Sequence, residues 1–119
     1  LETQEGKNLP VVHCVKGTDG WQINEKVKTA LKDAVVIDKP TFGSKILAEE
    51  ITKIAEKEDI TVTLVGLCTD ICVVSNEILI KAYLPEIPVK VIASCCAGVT
   101  PESHEAALAT MRMCQVQVE

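Results

Sequence analysis

Apolar positions recur along this chain at two spacings, and the two alternate. Short, largely apolar runs stand at residues 11–15, 34–37, 60–67, 89–93 and 116–118, that at 34–37 being continuous. Runs of that length are typical of strands in a sheet covered on both faces. Between them the spacing is helical. Residues 23–32 predict a short amphipathic helix with Asn24 as a cap and Val27, Ala30 and Leu31 inward. Residues 44–58 predict a second, capped by Ser44, with Ile46, Leu47, Ile51, Ile54 and Ala55 on one face and charges on the other. A third opens with Cys72 in its first turn and is ended by Pro85 and Pro88. A fourth is capped by Thr100, has Pro101 at its first position, and takes its apolar surface from Ala106, Ala107, Leu108, Met111 and Met113. Residues 1–10, with Gly6 and Pro10 as breakers, read as a loop, and residues 16–21 as a turn. Strands and helices that alternate in this way predict an α/β fold with a mostly parallel sheet and helices on its faces.

The stretch from Ile60 to Tyr83 carries the most chemistry. A buried strand enters the polar turn Cys68-Thr69-Asp70, and Cys72 follows at a helix start. Unpaired N–H groups and the helix dipole favour an anion there, so a thiol in that place is open to activation. The alternative is a small buried hydrophobe, the commonest fate of a free cysteine. Ligands of open α/β sheets bind outside the C-terminal ends of the strands. Those ends collect Lys39, residues 68–72, and a turn at residues 94–98 that holds Cys95 and Cys96.

Composition narrows the class. With 119 residues, 47% apolar and 3% aromatic, the chain suits one domain with an aliphatic core. A net charge of −5, spread rather than blocked, argues against a nucleic-acid footprint. No apolar run reaches membrane-spanning length, and the polar start does not resemble a signal peptide. The six cysteines sit in helix–strand alternation rather than in a loop-rich disulfide scaffold, which points to reduced thiols and a cytoplasmic setting. Cys68, Cys72, Cys95 and Cys96 lack the CxxC spacing of a structural zinc site, and a redox or metal-storage role would rest on cysteine number alone.

Four motifs then occur in order: HCVKGTDGW from His13, VIDKPTFGS around Lys39, VGLCTDICV around Cys72, and VIASCCAGVTPESHEAAL. Together they resemble the isochorismatase-like cysteine hydrolases, in particular the nicotinamidase branch. The resemblance implies a three-layer (αβα), Rossmann-like, mostly parallel sheet lacking its first strands. It makes residues 1–119 a single domain equivalent to the C-terminal two-thirds of the family's domain. It implies Cys72 as nucleophile, Lys39 as catalytic lysine, a cis peptide just before Cys68, and an oxyanion hole from the backbone N–H groups of Cys68 and Cys72. It matches His13 to a metal-binding histidine, with a divalent metal (Zn, Mn or Fe) and no organic cofactor. Read without the family, Lys39 is a solvated lysine and His13 a histidine bonded to backbone. His104 is expected on a solvated or interhelix face, and Trp21 in loop or core packing.

The implied substrate is a small carboxamide, first of all nicotinamide. Another small amide, isochorismate, or a non-catalytic role are the alternatives. The implied partners include neither nucleic acid nor membrane, and self-association into a homo-oligomer stays open. The departures are specific. The family's D-x-Q-x-D-F run, whose Asp is the general base, and its D-x-H metal segment do not occur here, and Pro10 replaces a tryptophan. Asp70 is expected to be a helix cap rather than that base. These departures lead to the expectation of a chain without its N-terminal third, with a gap in mid-sheet and impaired catalysis.

Overall fold

The structure, a computed structural model, describes residues 2–119. It divides into two units, Leu1–Val36 and Ile37–Glu119.

In the first unit, Thr3 Oγ1 accepts the Gly6 N–H at 3.1 Å and caps helix α1, Gln4–Asn8. The expected loop therefore contains a helical turn, because a threonine cap satisfies one of the orphan donors that a helix start leaves. A single 3₁₀ turn covers Asp19–Trp21, and helix α2 covers Glu25–Ala30 with Asn24 Oδ1 accepting the Lys26 N–H at 3.0 Å. The expected helix and cap are present, but its inward face is not: Val27 and Leu31 are exposed, and neither helix buries a residue. Val11, Val12 and Val15 are also exposed.

The expected strand at residues 34–37 does not form. Val35 is 87% exposed and no ladder reaches it. A strand is not a local structure, and four apolar residues become one only against neighbours that supply hydrogen bonds and cover.

The second unit is a parallel α/β fold, as the alternation of strands and helices predicts. Ser44 Oγ accepts the Leu47 N–H at 3.1 Å and starts helix α3, Lys45–Ala55. Strand β1, Val62–Leu67, leads into a π-helical turn, Thr69–Val73, continued by helix α4, Val74–Tyr83. Strand β2 is Val89–Ala97, helix α5 is Pro101–Met113, and strand β3 is Gln117–Val118. The sheet order is β1-β2-β3, parallel throughout. Two consecutive crossovers in one direction place α4 and α5 on the same face, given the usual right-handed connection. The core agrees: Val73 and Ile80 meet Val89, Val91, Ala107, Leu108, Met111 and Val116, with Val62 and Leu64 packed alongside. Thr63, Val65 and Leu67 alternate to the opposite, exposed face. On α3, which packs against α4, Ala48 is buried while Ile46 and Ile54 are exposed, so the apolar stripe is covered along only part of its width.

The top of the sheet is irregular where chemistry is expected. Leu64 pairs with Val91 but Gly66 with Cys96, so Val65 alone faces the segment from Ile92 to Cys95. A bulge of this kind re-aims the strand end, and Gly66 takes a φ of +118° that side chains disfavour. After it, Gly66 and Leu67 regain partners in Cys96 and Ala97. The expected turn at residues 94–98 is consequently strand up to Ala97. The Leu67–Cys68 peptide is cis, as the family resemblance implies.

Candidate active site

Cys72 lies inside the turn that joins β1 to α4. The carbonyl of Cys68 accepts the N–H groups of Ile71 at 3.1 Å and Val73 at 3.0 Å, a widened turn in which neither bond uses Cys72 N–H. Such π turns recur at functional sites. The sequence reading has an ordinary helical first turn here, and nothing in local propensity distinguishes the two.

The turn is tied down from α5 and the loop before it. Thr69 is fully buried, and its hydroxyl is 2.8 Å from His104 Nδ1. His104 is thus on an interhelix face, bonded to the turn itself. Both carboxylate oxygens of Asp70 accept the Val99 N–H, at 3.1 and 3.2 Å. Asp70 is therefore no cap of its own helix but a link to the loop after β2. The Ser103 hydroxyl, and then the Val99 N–H, hold its carboxyl below the ordinary range. Gly98 makes the approach feasible, since a Cβ there would sit 2.9 Å from the backbone nitrogen of His104.

Lys39 reaches Cys72 from 33 positions away. Its Nζ donates to Cys72 Sγ at 3.2 Å and to the Thr41 carbonyl at 3.2 Å. The structure therefore brings together the two side chains that the motifs single out. A cation and hydrogen-bond donor at sulfur is the surrounding in which a cysteine becomes a nucleophile. Two further thiols lie nearby. Burial, then the charges of Asp70 and Cys72, push the Cys68 thiol up, and burial also pushes up Cys96. All six cysteines are free.

Asn76 is a residue that sequence reasoning passes over. One turn after Cys72 and buried, it accepts the Ser44 N–H at 2.8 Å and donates to the carbonyls of Cys72 at 2.8 Å and Phe42 at 3.3 Å. A signal existed: positions 73, 76, 77 and 80 form one helical stripe, and two of its four residues are polar.

His13 is exposed in the first unit. Its Nδ1 lies 2.6 Å from the Val11 carbonyl oxygen, and its Nε2 is 3.7 Å from Glu5 Oε1. Among the described residues no three His, Cys, Asp or Glu side chains gather as a metal site. One imidazole and one carboxylate are too few donors for a zinc-type site, so the residues present do not fit a metal. Trp21 is half-buried, with Lys16 Nζ 5.6 Å from its ring centre. Among the described residues no helix is long and apolar enough to cross a membrane.

Comparison with known proteins adds three findings. The sequence profile of the isochorismatase domain matches residues 2–119. No curated protein matches the chain. Among solved structures, the fold resembles a nicotinamidase/pyrazinamidase from Bacillus subtilis, with a TM-score of 0.76 and 23% identity over 99% of this chain and 67% of that one. A nicotinamidase from Staphylococcus aureus gives 0.71 and 28%, over 91% of this chain and 70% of that one. A pyrazinamidase from Pyrococcus horikoshii, solved in complex with zinc, gives 0.69 and 21%, over 91% and 61%. The chain spans about two thirds of the length of these relatives.

Proposed function

The chain belongs to the isochorismatase family, and we propose that it is an amidohydrolase that cleaves a small carboxamide, nicotinamide first, through a thioester on Cys72. The observation that carries this reading is the 3.2 Å contact between Lys39 Nζ and Cys72 Sγ at the end of β1.

In the proposed reaction the Cys72 sulfur attacks the amide carbonyl carbon, and the C–N electrons return to nitrogen, which leaves as ammonia after gaining a proton. Water then adds to the thioester, releasing nicotinate and regenerating the thiol. Lys39 holds positive charge at the sulfur, and the N–H groups of Cys68 and Cys72 are the proposed donors to the tetrahedral oxyanion. The D-x-Q-x-D-F run that supplies the family's general base is not among these residues, and proton transfer of that kind contributes about 10²–10⁴-fold to rate. The zinc of the Pyrococcus relative belongs to that protein. A reduced, cytoplasmic setting suits a reaction that needs a free thiol.

The test is ammonia release from nicotinamide, together with the intact mass of a nicotinoyl adduct, for the chain and for Cys72→Ala. Both signals are expected to vanish in the variant. Ammonia release that persists undiminished in Cys72→Ala would overturn the mechanism. Turnover of isochorismate in preference to nicotinamide would overturn the substrate.

A further inference from the structure

We infer that Asn76 is a positioning residue that holds Lys39 on Cys72. The functional meaning rests on the amidase reading of that pair, but the coupling itself rests on geometry.

Lys39 stands on a segment that is neither helix nor strand, so no regular element fixes where its ammonium goes. The Cys72 turn, by contrast, is anchored by Thr69 and Asp70 to His104 and Val99. Besides the Lys39–Cys72 contact itself, a buried carboxamide joins the segment to the turn. Asn76 Nδ2 donates to the carbonyl of Cys72 on one side and to that of Phe42 on the other, while Oδ1 accepts the N–H of Ser44. A primary amide has two donor hydrogens and one acceptor oxygen, and here all three faces are used. Residues 39–44 are further tied among themselves, through Lys39 Nζ to the Thr41 carbonyl and Thr41 Oγ1 to the Gly43 carbonyl at 2.7 Å.

Gly43 is an independent sign that this loop is seated on α4. A Cβ there would lie 2.5 Å from Leu79 Cδ1 and 3.3 Å from the Ser75 carbonyl oxygen. The loop backbone thus lies directly on the helix that begins beside Cys72, and Asn76 is the polar contact that sets where along the helix it rests. Asn76 touches Cys72 at its carbonyl and the Lys39 loop at Phe42 and Ser44, and it is the second set of bonds that bears on where Lys39 stands.

The experiment measures iodoacetamide labelling of Cys72, followed on its own peptide by mass spectrometry because five other thiols are present. The full chain is used as wild type, Lys39→Met, Asn76→Ala, Asn76→Ser and the Asn76→Ser/Lys39→Met double variant. Lys39→Met is expected to slow labelling at pH 7 about tenfold. Asn76→Ser keeps a hydroxyl that can bond the Cys72 carbonyl one turn back but is too short to reach Phe42 and Ser44. It is expected to slow labelling severalfold and to add nothing in the Lys39→Met background, the signature of two residues acting as one unit.

Labelling of Asn76→Ser at the wild-type rate, or equal slowing in both backgrounds, would overturn the inference and leave Asn76 a purely structural residue. If Asn76→Ala loses its cooperative unfolding transition, Asn76→Ser alone decides. Coupling in a chain that turns over isochorismate in preference to nicotinamide would overturn the substrate reading and leave the positioning role. Ammonia release without coupling would do the reverse.

Discussion

At the scale of one residue, Glu77 gives the fold a pH-dependent contribution to stability. It follows Asn76 on α4, is fully buried, and neither of its carboxylate oxygens has a hydrogen-bond partner. Burial pushes its carboxyl up to about 7, with Lys81 opposing. The folded protein therefore retains a proton that the unfolded chain releases near pH 4.5. The contribution of Glu77 to stability falls as pH rises from about 4.5 through about 7, then levels, by roughly 3 kcal/mol in all. Glu77→Gln removes the titration and keeps the shape. The variant should match wild type near pH 5 and exceed it by about 2–3 kcal/mol at pH 8, read from urea midpoints. An equal difference at both pH values would mean that Glu77 finds a partner in solution. Two polar residues thus share one buried stripe with different outcomes: Asn76 satisfied on all sides, Glu77 on none.

At the scale of elements, the Cys72 turn depends on how closely α5 approaches it. Thr100 and Ser103 cap α5 reciprocally, each side chain accepting from the other's backbone N–H, which fixes where the helix starts. Gly98 then lets the chain pass against His104. In Gly98→Ala the new Cβ would stand 2.9–3.0 Å from His104 backbone atoms, which are not free to swing aside. The expected cost is about 1–3 kcal/mol, seen as a lower urea midpoint at unchanged slope. An unchanged midpoint would mean that α5 yields without cost.

This junction also marks where sequence reasoning stops. The Thr100 cap, Pro101, the strand ending at Leu67 and the pairing of Lys39 with Cys72 are legible, because caps, apolar runs and motifs are written locally. The Thr69–His104 and Ser44–Asn76 bonds join residues more than thirty positions apart, and no local pattern encodes them. The bulge at Val65 and the π turn are set by tertiary pairing. The same reason removes the expected strand at residues 34–37: its apolar run is real, but a run alone supplies no partner.

At the scale of the whole chain, the two units differ in what holds them. In Leu1–Val36 the helices bury no residue, and Val12, Leu31, Val35 and Val36 are all at least 60% exposed. In Ile37–Glu119 the sheet, α4 and α5 share one continuous apolar cluster with Val91 and Met111 fully buried. Buried apolar area is the main source of resistance to local opening, so opening should be far easier in the first unit. Limited trypsin digestion is therefore expected to cut first at Lys26, Lys28 and Lys32, and a fragment beginning at Asp33 should accumulate. Lys39 precedes Pro40, a bond that trypsin does not readily cleave, so the fragment should retain Lys39 and Cys72 on one chain. Iodoacetamide labelling of Cys72 should then proceed at the same rate before and after trimming. His13 leaves with the trimmed part, so an unchanged rate would separate the Lys39–Cys72 pair from any contribution of that histidine. Early cuts between Val62 and Met113, or Cys72 labelling that changes on trimming, would instead show that the first unit supports the second.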